Sequence, residues 1–166
     1  YSYGIVHRDV KPANVMITKE GIVKLCDFGL ARHLGITTAT TKTVIAGTPN
    51  YIAPEQIRDD KVDIRADIYA LGGTMFYMAT GQPPFTGKTA VLVMTKHLYE
   101  PPRPPRSLTP SISRYLDAVI MKCLRKNPAE RFQTPSELIH VLEKLATRKH
   151  SSRAIRTVSR RYRRRR

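Results

Sequence analysis

The chain has 166 residues, 41% of them hydrophobic, which is one domain's worth of sequence and enough to bury a real core. No run of 18 apolar residues offers a membrane span, and Cys26 and Cys123 sit in no metal-binding spacing, so a reduced, cytoplasmic setting is the expectation. The net charge of +16 is uneven: ten of the 29 basic residues lie in 148–166, which holds no acid, so the charge marks a tail rather than a nucleic-acid-binding body.

Taken in chain order, "VMITKEGIVKL" (15–25) sets two β-branched runs around Lys19-Glu20-Gly21 and predicts a hairpin. From Asp27 to about Gln56 the chain is rich in Thr and Gly without a period, which reads as a long, functional loop. "ADIYALGGTMFYMATG" (66–81) is apolar nearly all round and predicts a buried helix of four turns. "PPRPPR" (101–106) reads as a stiff connector. Residues 113–125 place Leu116, Val119, Ile120, Cys123 and Leu124 at helical spacing. Thr134-Pro135-Ser136-Glu137 is a capping box that opens a last helix with Leu138, Val141, Leu142 and Leu145 on its apolar face. After Thr147 the pattern stops. The expectation is a mainly α fold with a small β-hairpin over 1–147, followed by a basic, disordered tail at 148–166.

Three motifs carry chemistry. His7-Arg8-Asp9-Val10-Lys11-Pro12-Ala13-Asn14 has the form H-R-D-x-x-x-x-N, Asp27-Phe28-Gly29 follows thirteen residues after Asn14, and Ala53-Pro54-Glu55 closes the long loop. Their order and spacing make a chance match remote. Over roughly 1–147 the sequence resembles the C-terminal lobe of a protein kinase, an α+β kinase-like fold left incomplete. Lys11, and Gly47-Thr48-Pro49, resemble the serine/threonine branch, and "HRDVKPANVMI", "YIAPEQ" and "NPAERFQT" resemble its bacterial members.

The residue types suit phosphoryl transfer, which needs an in-line nucleophile and cations on the phosphates. Asp9 can accept the proton of a protein Ser or Thr hydroxyl, and Lys11 can reach the transferred phosphate of ATP. Asn14 and Asp27 offer Mg²⁺ the hard oxygens it prefers. Arg8 beside Asp9 suggests a pocket for a phosphate on the long loop, where Thr37, Thr38, Thr40, Thr41 and Thr43 are the candidate acceptors. Cys26 reads as a small buried apolar residue rather than a reactive thiol. The resemblance further implies that Thr48 contacts Asp9 and Lys11, that His7 packs and hydrogen-bonds rather than acting as a base, and that Asp67 holds the catalytic loop. It also implies a buried Glu55–Arg131 ion pair. Tyr69 departs from the D-x-W-x-x-G pattern that Asp67, Leu71 and Gly72 otherwise fit.

No two of the nine glycines stand two positions apart, so the sequence holds no G-x-G-x-x-G lid, and it holds no V-A-I-K-like lysine. The expectation is a fragment that carries the base, the metal ligands and the substrate platform, is inactive alone, and depends on a missing N-lobe. Two other readings compete with it: an inactive C-lobe that docks proteins, and a binder driven by its tail. For that tail, a plain solvated segment competes with an anionic membrane surface and with nucleic acid; the membrane is weighed slightly above nucleic acid and would put the protein in the cytoplasm at the membrane's inner face.

Overall fold

The computed structural model describes residues 5–27, 32–33 (through their backbone) and 49–147. Thr37, Thr38, Thr40, Thr41, Thr43, Thr48 and the tail 148–166 lie outside the described residues. The chain divides into two compact units, Tyr1–Pro135 and Ser136–Arg166.

The first unit opens with β1 (Ile5–Val6), a 3₁₀ turn at Pro12–Asn14, and β2 (Val15–Ile17), which pairs antiparallel with β3 (Val23–Leu25). Val15 faces Leu25 and Ile17 faces Val23 across this hairpin. Its turn is closed by Thr18 and Ile22, with Gly21 at φ 80°, a conformation that costs glycine nothing. A second two-stranded pair, beyond the expected hairpin, joins β1 to β4 (Arg32–His33), with Val6 opposite Arg32.

Helix α1 (Pro54–Arg58) starts two residues before the loop was expected to end. Proline at its first position has a preset φ and no N–H to leave unsatisfied. Helix α2 (Ile64–Thr80) is the central element. The Asp63 side chain accepts from the Arg65 N–H to cap its start, and Gly81 ends it at φ 78°. Helices α3 (Ala90–Tyr99), α4 (Pro105–Leu108) and α5 (Arg114–Cys123) follow, the first capped by Thr89 and the last by Ser113. The expected proline connector is therefore only partly extended, because its final Pro105-Arg106 begins α4.

The core gathers Ala53, Ala66, Tyr69, Phe76, Ile120 and Leu124, with Val62, Met75 and Leu116 packed against it. Helices α2 and α5 cross closely at Gly72: a Cβ there would stand 2.5 Å from that of Cys123. In the second unit, residues 136–147 are helical.

Candidate active site

The loop between β1 and the 3₁₀ turn runs from His7 to Lys11, with buried Val6 before it and buried Val10 within it. Its backbone is unusual at Arg8, which adopts φ 68°. A left-handed conformation is unfavourable for such a side chain and persists only where the surroundings hold it. Asp67, in the first turn of α2, supplies the hold: its Oδ2 accepts from the His7 N–H and its Oδ1 from the Arg8 N–H, each at 2.8 Å. Burial pushes the Asp67 carboxyl above its ordinary range, and these two N–H donors oppose that shift by favouring the anion.

Asp9 follows directly. Lys11 Nζ lies 2.7 Å from Asp9 Oδ2. Asn14, buried, donates from Nδ2 to the Asp9 carbonyl at 2.8 Å and to Oδ2 at 3.1 Å. One amide therefore fixes both the backbone and the carboxylate of Asp9. His7 is also buried. Its Nδ1 accepts from the Asp9 N–H at 3.3 Å, and its Nε2 lies 3.1 Å from the Cys26 carbonyl. A carbonyl can only accept, so Nε2 carries the proton and both ring nitrogens serve to hold the loop. Cys26 is half-buried rather than buried, and its N–H donates to the Asn14 carbonyl at 2.8 Å. Through that bond the hairpin returns Asp27 to the neighbourhood of Asn14. Asp27 has φ 64°, a second left-handed residue at the same mouth.

The donor set fits a magnesium ion bound together with phosphates. Asn14 directs its amide nitrogen to Asp9, which leaves the amide oxygen turned the other way, and Asp27 adds a carboxylate. Among the described residues no group of three or more His, Cys, Asp or Glu could hold a metal. Two protein oxygens with phosphate and water completing the shell are what Mg²⁺ takes in nucleotide sites.

Glu55 and Arg131 form a buried bidentate pair, Nη1 to Oε1 at 2.6 Å and Nη2 to Oε2 at 2.8 Å. The guanidinium also donates to the carbonyls of Arg125, Arg65 and Lys126. It lies 4.8 Å from the Tyr69 ring. Tyr69, where the resemblance expected Trp, sends its hydroxyl to His97 Nδ1 at 2.8 Å. Burial and the nearby Lys126 ammonium lower the His97 pKa to about 3. Lys126 caps α3 by donating to the carbonyls of Lys96 and His97. Its own pKa is lowered to about 8, mainly by burial.

The residues 1–143 match the model of the protein kinase domain. The chain belongs to the protein kinase family. It is similar to "Serine/threonine-protein kinase PknB" of Mycobacterium leprae, 48% identical over 81% of this chain and 22% of that protein. "Probable serine/threonine-protein kinase PknB" of Corynebacterium glutamicum is 43% identical over 91% of this chain and 25% of its own length. "Probable serine/threonine-protein kinase CPE1738" of Clostridium perfringens is 41% identical over 86% and 21%. The chain thus spans between a fifth and a quarter of the length of these curated relatives.

Within this kinase-family site, the structure brings Asp9, Lys11 and Asn14 together, joins His7 and Arg8 to Asp67, and joins Glu55 to Arg131. Gln56 was missed by sequence reasoning. Its Oε1 accepts from the Ala53 N–H at 3.1 Å, and its Nε2 donates to the Arg8 carbonyl at 3.0 Å. A signal existed for the first bond, since glutamine stands third in a helix opened by proline, the capping-box position. Nothing in the sequence pointed to the second.

Proposed function

We propose that this chain carries the catalytic machinery of a serine/threonine protein kinase, moving the γ-phosphoryl group of ATP to Ser or Thr hydroxyls of proteins. The carrying observation is Asp9, a carboxylate on a strained loop whose backbone is clamped from both sides by Asp67 and Asn14. Asp9 accepts the proton of the substrate hydroxyl as that oxygen bonds the γ-phosphorus and the bond from phosphorus to the departing ADP oxygen breaks. Lys11, held beside Asp9, places a positive charge where the transferred oxygens gather negative charge. Asn14 and Asp27 would hold Mg²⁺, which when bound neutralises the phosphates. Asn14 therefore has two tasks, one for each end of its amide.

The finer proposal is that these residues form the C-terminal lobe, with the nucleotide clamp supplied by residues outside 1–166. The absence of any Gly-x-Gly pair from this sequence supports it. The relatives' far greater length is compatible with it.

The test is Asp9→Asn in the intact protein that contains these residues, assayed for phosphate transfer from ATP to a generic Ser/Thr protein. A loss of about 10²–10⁴-fold is expected with the melting temperature kept. A wild-type rate would reject Asp9 as the base. Purified 1–166 should show no transfer, and turnover by it would reject the separate clamp.

A further inference from the structure

We propose that Gln56 is a positioning residue for Asp9, fixing the peptide unit that joins Arg8 to Asp9. The inference rests on the reading of Asp9 as the base. The Arg8–Asp9 peptide leaves a residue at φ 68°, so its orientation is not set by backbone preference. Asp67 grips the N–H on one side of Arg8. The carbonyl on the other side is the group that Gln56 Nε2 reaches, across 48 residues. That carbonyl belongs to the same rigid plane as the Asp9 N–H. Turning it would turn Asp9, and with Asp9 the contacts that Lys11 and Asn14 make to its carboxylate.

Chemistry fixes which end of the amide does which task. The Ala53 N–H can only donate and the Arg8 carbonyl can only accept. Gln56 therefore needs an acceptor and a donor on one planar group, and its amide provides both. A carboxylate at this position keeps the cap on α1 but presents an oxygen to the Arg8 carbonyl. An ammonium does the reverse. The pair Gln56→Glu and Gln56→Lys thus separates a residue that merely caps α1 from one that also sets Asp9.

The experiment measures kcat, KM and melting temperature for both variants in the intact protein, with Asp9→Asn alongside. The expected result for Gln56→Glu is a fall of about 10- to 100-fold in kcat, with KM for ATP and the melting temperature close to wild type. Gln56→Lys is expected to melt earlier yet to hold a kcat about tenfold above that of Gln56→Glu. In the same intact protein, the ¹⁵N shift of the Asp9 amide should move in Gln56→Glu and stay nearer wild type in Gln56→Lys. An unmoved Asp9 amide, or equal kcat in the two variants, overturns the proposal. If Asp9→Asn keeps its activity, the reading of the base fails. If Asp9→Asn is dead while Gln56→Glu is fully active, only the role of Gln56 fails.

Discussion

Arg131 has five N–H donors, and all five find acceptors: two on Glu55 and three on the carbonyls of Arg65, Arg125 and Lys126. One side chain thereby ties α1, the first turn of α2 and the segment after α5. Replacing it by Ala leaves the Glu55 carboxylate buried without its counter-charge and strands three carbonyls. Arg131→Ala should cost about 3–5 kcal/mol in urea unfolding. Arg131→Lys should recover little, because an ammonium has three donors and cannot make the forked contact. A loss below about 1 kcal/mol for Arg131→Ala would mean that Glu55 reaches water once the arginine is gone. Both residues were named from the motifs, whereas the three carbonyls were not, since backbone acceptors leave no trace in residue identity.

At the scale of elements, the crossing of α2 and α5 depends on Gly72. A methyl group there would meet the Cys123 Cβ at 2.5 Å, and both atoms belong to helices that must shift together. Gly72→Ala gains up to about 1 kcal/mol in helix propensity but overpacks the crossing by about 1–3 kcal/mol. A net loss in thermal unfolding is expected, and a stabilised variant would show that the helices can part freely. Gly81 offers the contrast: nothing lies within 4 Å of an added Cβ, and only its φ of 78° resists substitution. The elements legible in the sequence were those with one clear pattern. The hairpin showed β-branched runs about a turn, α2 was apolar all round, and α5 kept its apolar residues at helical spacing. Helix α3 was not legible because its apolar residues point both ways: Val93 is buried while Val91, Leu92 and Tyr99 are exposed. The β1–β4 pair is two residues long, too short for any period to register. Within the site, Asp9, Lys11 and Asn14 could be read because they fall within one short motif, and Asp27 because it opens another. The supports from Gln56 and from Tyr69 to His97 span 48 and 28 residues, distances at which spacing carries no signal.

Across the whole molecule, His97 and Lys126 each contribute to the response to pH. His97 has a pKa of about 3 in the folded chain, against about 6.5 when exposed. The unfolded chain therefore binds the proton more readily between those values. Stability is complete above pH 6.5 and declines as the pH falls toward 3, by about 2 kcal/mol at pH 5 for this group. Carboxylates titrate in the same range, so the measurement is a difference: His97→Gln, which can still accept from Tyr69, should lose less stability than wild type between pH 7 and pH 5. Equal losses would show that His97 is protonated in the folded state. Lys126 acts at the other end of the scale, where a folded pKa near 8 makes stability rise as the pH climbs from 8 toward 10.5.

The clamp on the catalytic loop has a further consequence, in the order of synthesis. His7 and Arg8 are gripped by Asp67, 60 and 59 residues further along, and the Arg8 carbonyl by Gln56. On the ribosome the loop is made before the groups that set it. A nascent chain that ends before Asp67 holds Asp9, Lys11 and Asn14 in covalent order, while the groups that fold Arg8 into its unfavourable conformation do not yet exist. Assembly of the reactive centre therefore waits on helix α2, and translation reaches the parts of the machine well before the frame that makes them one.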